Sequence, residues 1–503
     1  MGSEIPLCDL KVVKYLEELS GKKATVNSDQ LRERSIPEKQ WQGPELVYRN
    51  PSLKQEGRSS SGLRDKAHRI YEFILENYMF KPEIDIGNKS NNLKNDSDSL
   101  ETRIDGKDGY NSTLLFTEIA QLMPKSAILY LGEPGSGKTS SPVLFSQYCL
   151  GIEEMDVRRA MIRGNPEVTT SDILAYTDVG ALISKGIEIV HPRSFMRSTV
   201  RIIDEVNRIP PGKVAMLYDV ADVGEVNYKN KIIKAPKGPL FATANFKDSG
   251  NYAMQKPFLD RFDILLKATP VNPLYAGISK RAIQKGVEPF SAEEIHAVRH
   301  EIHDLRWNPE AHARLSYFLN EIDGCDLGGR EISQKVKQNA WNRKPGTICE
   351  DCLYFTPMNI CSMTEDGTTT RMIDAIYRFS EAYAWWNGKE TVEVEDVSEV
   401  APYVMAHKLT PTRNASNPDY KNDRVSFIRD LWITSMESFD KTAEIMPLVR
   451  EMPDIIEEVY RGELFQGRKK DIKHALENEV RYIESPSKFP LETALYDIYR
   501  RLR

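Results

Sequence analysis

The segment Gly132-Glu133-Pro134-Gly135-Ser136-Gly137-Lys138-Thr139-Ser140 carries the densest chemistry in this sequence, and its first eight residues fit the spacing G-x-x-x-x-G-K-S/T. Glycines at this spacing let the backbone close around a phosphate, and main-chain N–H groups with the start of a following helix supply an anion site. Lys138 would reach the β- and γ-phosphates of ATP, and Thr139 would ligate Mg²⁺. A second element, RIIDE (201–205), ends in adjacent acids. Asp204 would hold Mg²⁺ through water, and Glu205 would polarise an attacking water. A third, LFATAN (240–245), ends in Asn245, a neutral group able to orient water and touch the γ-phosphate. Arg261 follows within Phe258-Leu-Asp-Arg-Phe-Asp263. It reads either as half of a surface ion pair or as an arginine finger inserted into a neighbour's site.

Four further candidates for chemistry are Cys325, Cys349, Cys352 and Cys361, spaced C-x23-C-x2-C-x8-C. Four thiolates suffice for tetrahedral Zn²⁺ or for an iron–sulfur (4Fe–4S) cluster. The insert they span is polar and glycine-bearing, so a metal staple would supply the folding energy that burial cannot. Cys8 and Cys149 read as small hydrophobes. His296, His300 and His303 recur at helical spacing within a charged segment, with no H-E-x-x-H pattern, and read as a solvated face.

The elements that must position these groups are legible in the texture of the chain. AILYL (127–131), RIIDE and LFATAN are short apolar runs ending in polar or glycine-rich tips, as buried strands of a parallel α/β sheet do at the edge where ligands bind. An N-terminal arm is expected over 1–62, then a helix with Ile70, Phe73, Ile74 and Tyr78 on one face, and a polar linker to 109. The nucleotide-binding α/β domain is expected over 110–289, a helical lid with the cysteine insert 325–361 over 290–410, and a C-terminal helical extension over 411–503. Trp385 and Trp386, with Phe379 and Tyr383, read as lid core. The basic run RGELFQGRKKDIKH (461–474) reads as a solvated helix face.

With 503 residues, a net charge of −6 and 28% charged side chains, the chain fits a multidomain globular protein and not one that coats nucleic acid. No apolar run reaches membrane-spanning length and no export signal stands at the N-terminus, so a cytoplasmic location is expected.

Taken in order, GEPGSGKT, IIDEVNRIPPGKVAMLYDVADVGEVNY, LFATANF and PFLDRFD resemble AAA+ ATPases of the MoxR group, with relatives in the magnesium-chelatase and MCM branches. RGNPEVTTSDILAY (163–176) and VEVEDVSEVAPYVMAHKL (392–409) also resemble MoxR segments, over a span of about 110–440. The resemblance implies a homo-hexameric ring whose sites form between subunits, with Lys138, Thr139, Asp204, Glu205 and Asn245 in cis and Arg261 from the next protomer. It places Arg371 at the sensor-2 position, which in this branch also acts across the interface. The hairpin-like stretches GIEIVHPRSFM (186–196) and GEVNYKNKIIKAPKG (224–238) would face a pore or a client. A remodelling chaperone acting on a client protein or metalloenzyme, with a von Willebrand A-domain partner, is the implied function. An MCM-like nucleic-acid motor is the alternative, kept open by Lys229, Lys231, Lys234 and Lys237.

Overall fold

In the computed structural model the described residues are 60–77, 86, 109–133, 135–229, 231–245, 252, 254–268, 286–323, 360–364, 366–412, 415, 420 and 423–445. The first helix, α1 (Ser60–Asn77), buries Ile70 and Ile74 completely. It packs on α2 (Ser112–Leu122) and on α3 (Ser140–Leu150), which leaves the phosphate loop. Lys66 of α1 also pairs with Glu294 at 2.6 Å. A helix that the sequence sets apart from the nucleotide-binding domain therefore shares one core with that domain and with the lid.

The central sheet is built from β1 (Ser126–Leu131), β2 (Ile162–Arg163), β5 (Arg201–Asp204), β8 (Pro239–Ala244) and β9 (Ile264–Lys267). All its pairings are parallel, in the order β2-β5-β8-β1-β9. Every residue of β1 and β8 is buried, as expected of strands covered on both faces. Two antiparallel pairs lie outside the sheet. In the first, β3 (Ala175–Thr177) pairs with β4 (Val190–Pro192), enclosing α4 (Val179–Lys185). In the second, β6 (Glu225–Tyr228) pairs with β7 (Lys231–Lys234), after α5 (Pro211–Asp222). The stretch 186–196 is thus not a hairpin in itself, because its strand folds back on residues 175–177.

Helices complete the molecule: α6 (Lys256–Leu259), α7 (Ala292–His303), α8 (Pro309–Asp323), α9 (Thr370–Trp386), α10 (Val394–Met405) and α11 (Arg424–Ile445). Phe379, Tyr383, Trp385 and Trp386 are buried on α9, and His68 stacks on the Trp386 ring at 4.3 Å. On α7, Ile295, Val298 and Ile302 face inward, leaving His296, His300 and His303 exposed.

Candidate nucleotide site

The phosphate loop leaves the C-terminal end of β1. Gly135 and Gly137 adopt φ +79° and +82°, a left-handed backbone that side-chain-bearing residues rarely adopt. Gly132 needs the absence of a side chain for a different reason: a Cβ there would stand 2.4 Å from the Ala268 carbonyl oxygen. Pro134 lies outside the described residues, and Ser140 opens α3. The Lys138 ammonium is 7% exposed and donates to the main-chain oxygens of Gly132 and Glu133 and to Asn245 Oδ1. Burial lowers its pKa, opposed by the charges of Asp204, Glu205 and Glu133.

Sixty-five positions along the chain, Asp204 meets the loop: its Oδ1 accepts from Thr139 Oγ1 at 2.7 Å and from Thr243 Oγ1 at 2.7 Å. A hydroxyl oxygen and a carboxylate oxygen side by side, at the mouth of a glycine-lined loop, form the hard-oxygen donor set that Mg²⁺ prefers. The buried Ser136 hydroxyl, without a hydrogen-bond partner, lies in the same loop. These residues fit a Mg²⁺–triphosphate.

Glu205 follows β5 in the left-handed conformation, φ 53° and ψ 52°, uncommon for a residue with a Cβ. Its N–H donates to Thr243 Oγ1 at 2.9 Å. Asn245 Nδ2 donates to Glu205 Oε1 at 2.9 Å, while Arg208 pairs with Oε2 at 3.0 Å. Asn245 thus stands between Lys138 and Glu205, bonded to both. Gly164, from RGNPEVTT, packs so close that a Cβ would stand 2.0 Å from the Glu205 carbonyl oxygen. Gly164, Thr243 and Arg208 are site residues that sequence reasoning missed. Thr243 was within reach, since it lies two positions before Asn245 and period-2 alternation puts both on one strand face. Gly164 and Arg208 carried no comparable local signal.

Arg261 and Arg371 are brought together, but elsewhere. The segment Asp260–Asp263 precedes β9, and the Asp263 N–H donates to the Ala127 carbonyl at the start of β1. The phosphate loop leaves the opposite end of β1, roughly 17 Å away at the rise of an extended strand. Arg371 pairs with Asp260 at 3.2 Å, beside Arg261, whose guanidinium donates to the Pro257 carbonyl.

Cys325, Cys349 and Cys352 lie outside the described residues, and Cys361 falls in a short helix, Ile360–Met363. Among the described residues no group of three or more His, Cys, Asp or Glu side chains could hold a metal, so zinc or iron–sulfur binding gains no support here. Cys149 is a buried free thiol. Among the described residues no helix is long and apolar enough to cross a membrane. Residues 461–474 and Cys8 are outside the described residues.

The model of the AAA lid domain family matches residues 365–427, which span α9 and α10. A magnesium-chelatase subunit ChlI homolog from Methanocaldococcus jannaschii is 22% identical over 245 residues, 48% of this chain and 59% of that protein. The chain therefore spans about 59% of the length of that curated relative. Among solved structures, a proposed ATPase from Cytophaga hutchinsonii aligns at 16% identity and TM-score 0.49, covering 75% of this chain and 96% of that one. A full-length MCM homolog from Methanopyrus kandleri aligns at 11% identity and TM-score 0.39, covering 72% of this chain and 64% of that one. A parallel sheet with a phosphate loop, followed by a helical region that matches the AAA lid domain, is consistent with the AAA+ α/β fold. Its ordered motifs and the magnesium-chelatase homolog it matches are similar to those of MoxR-type AAA+ ATPases.

Proposed function

We propose that this protein binds Mg-ATP at the Lys138 loop, hydrolyses it with Glu205 activating water, and works as a cytoplasmic homo-hexameric ring that remodels a client protein or metalloenzyme. The observation that carries this reading is the continuous bonded path Lys138–Asn245–Glu205, with Thr139 on Asp204 beside it. Phosphate, Mg²⁺ and attacking water each have a side chain of suitable chemistry within one cluster. Mg²⁺ held by Thr139 and Asp204 would neutralise phosphate charge. Lys138 would exchange main-chain carbonyls for phosphate oxygens, and Asn245 would hold Glu205 toward the water.

Arg261 and Arg371 stand at the far end of the sheet from this cluster, which supports their action on the phosphates of a neighbouring subunit. Equal mixing of Arg261→Ala and Lys138→Ala chains tests it. Interfaces that join an intact loop to an intact finger should regain ATP hydrolysis that neither variant has alone. No regain in verified mixed rings would sink the trans assignment.

Client engagement is supported by the two antiparallel inserts. Seven of the eleven large hydrophobic side chains exposed among the described residues fall on them, including Ile183 at 81%, Val179 at 61% and Ile232 at 59%. Lys229 reaches Thr177 and Glu188, and Lys231 reaches the Glu188 carbonyl, so the two inserts adjoin. Lys234 pairs with Glu225. Hairpin lysines engaged within the chain weigh against the nucleic-acid motor. A von Willebrand A-domain partner and a structural thiolate metal centre in the cysteine insert belong to the same proposal. One zinc per chain, or iron with a band near ~400 nm, in purified protein would establish that centre.

A further inference from the structure

Asp260 is the residue on which the finger segment and both ends of the lid converge. Its carboxylate Oδ1 accepts from Thr369 Oγ1 at 2.8 Å, and Oδ2 pairs with Arg371 Nη1 at 3.2 Å. Thr369 is also the N-cap of α9, its hydroxyl accepting from the Met372 N–H at 3.2 Å, so one side chain ties Asp260 to the helical turn that carries Arg371. From beyond the end of α10, Lys408 donates to the Asp260 backbone carbonyl at 3.0 Å and lies 3.7 Å from Oδ1, its side chain only 2% exposed. Neighbouring contacts repeat the pattern. His407 bonds the Phe262 carbonyl at 2.9 Å, and Arg378 of α9 pairs with Asp263 at 2.9 Å. The four residues Asp260–Asp263 are gripped by α9 on one side and by the end of α10 on the other.

The Lys408 and Asp260 side chains are inward, at 2% and 20% exposure, while the Arg371 side chain is 42% exposed. The buried cation and the N-cap anchor Asp260; Asp260 in turn fixes the outward arginine next to Arg261.

We propose that Asp260 is a positioning residue that presents Arg261 and Arg371 as one rigid pair to the neighbouring subunit and yokes that pair to the lid. This rests on the reading of Arg261 as a finger acting in trans. Any displacement that the neighbour's phosphates impose on either arginine passes through Asp260 to α9 and α10, so each lid reports the occupancy of the adjacent site and not of its own.

Asp260→Asn is the test, because it removes the charge that holds Arg371 and Lys408 while keeping shape and an acceptor for Thr369. The homo-oligomeric variant should bind Mg-ATP within about twofold of wild type, since its own loop is untouched, and its kcat should fall roughly 10- to 100-fold, the scale of a small misplacement of a transition-state contact. Direction distinguishes positioning from general damage. Mixed with Lys138→Ala chains, D260N chains should regain hydrolysis, because their intact loops meet intact finger faces. Mixed with Arg261→Ala chains they should not, both being defective on the same face. D260N combined with Arg371→Gln should be little worse than either alone.

Full activity of D260N overturns the proposal, as does rescue of R261A but not of D260N by K138A, which would locate the defect in the variant's own site. If neither is rescued, the trans reading has failed and this inference falls with it. Should D260N not fold, Thr369→Val, which removes the bond to Asp260 together with the hydroxyl cap of α9, should give the same directional defect in weaker form. A Thr369→Val defect that tracks its own loop would also overturn the proposal.

Discussion

Glu205 is held by groups that act on its backbone and its carboxylate separately. The left-handed backbone is fixed by the Thr243 hydroxyl, and the two carboxylate oxygens are divided between Asn245 and Arg208. Residues kept in sparsely populated conformations by their surroundings concentrate at functional sites, and this one stands where attack on a γ-phosphate would be directed. Glu205→Gln keeps the size and the Asn245 contact but loses the charge and basicity. It should retain Mg-ATP affinity while kcat falls about 10²- to 10⁴-fold, the range of a lost general base. Single-turnover hydrolysis and nucleotide titration separate the two effects; normal turnover would remove Glu205 from the role. Lys138→Ala should instead abolish nucleotide binding, because the ammonium now spent on Gly132, Glu133 and Asn245 is the cluster's own cation for phosphate.

Among the elements, the short edge strand β2 matters for the glycine turn at its C-terminal end. The Gly164 N–H donates to the Asp204 carbonyl at 2.7 Å, and its missing side chain lets this turn close on Glu205. Gly164→Ala forces a Cβ against backbone, an overpacking that costs about 1–3 kcal/mol. Since the displaced atoms belong to Asp204 and Glu205, kcat should fall roughly 10²-fold while nucleotide affinity changes much less. A variant as active as wild type would show that the turn can yield. Helix α2 carries a different liability. Glu118 is 0% exposed, and among the described residues no nitrogen or oxygen donor bonds either carboxylate oxygen. Burial raises its pKa well above the ordinary carboxylate value, offset in part by the Cys149 thiol. The folded state therefore binds a proton that the unfolded chain releases, so its stability contribution is full below the ordinary glutamate pKa and is lost as pH rises toward the folded value. Glu118→Gln should melt higher than wild type, with a margin that widens from about pH 5 to about pH 8. A margin independent of pH would mean that Glu118 is not protonated in the fold.

At the scale of the whole molecule, the candidate nucleotide site and most of the exposed apolar side chains lie on different elements. The exposed apolar side chains of the two inserts are carried by α4 and by strands and loops outside the central sheet, so they can change without disturbing the sheet core. Ile183→Asp with Ile187→Asp should leave the Mg-ATP affinity and basal kcat of the protein within about twofold, while capture of a labelled unfolded polypeptide such as casein drops roughly tenfold or more, as expected when exposed apolar anchors become charged. Undiminished capture would move the client surface elsewhere.

Much of the candidate nucleotide site was legible because its parts are locally encoded. A glycine-rich turn between an apolar strand and a helix admits few readings, and Asp204, Glu205 and Asn245 stand at strand ends recognisable from short buried runs. The helical character of the lid was legible as well, and the buried faces of α9 and α10 follow the helical period. Strand order was not, because β1 lies between β8 and β9, which come more than a hundred residues later, and no local pattern records who pairs with whom. The parallel pairing of β9 with β1 puts Arg261 and Arg371 at the opposite end of β1 from Lys138. Close approach is equally non-local: Gly164 resembles any loop glycine until the carbonyl of Glu205 is found 2.0 Å from its absent Cβ. Residue type and local spacing identify which groups could meet a nucleotide, but the end of the sheet that each one serves follows from the fold, because residue type fixes chemistry whereas direction and distance arise from pairing between distant segments.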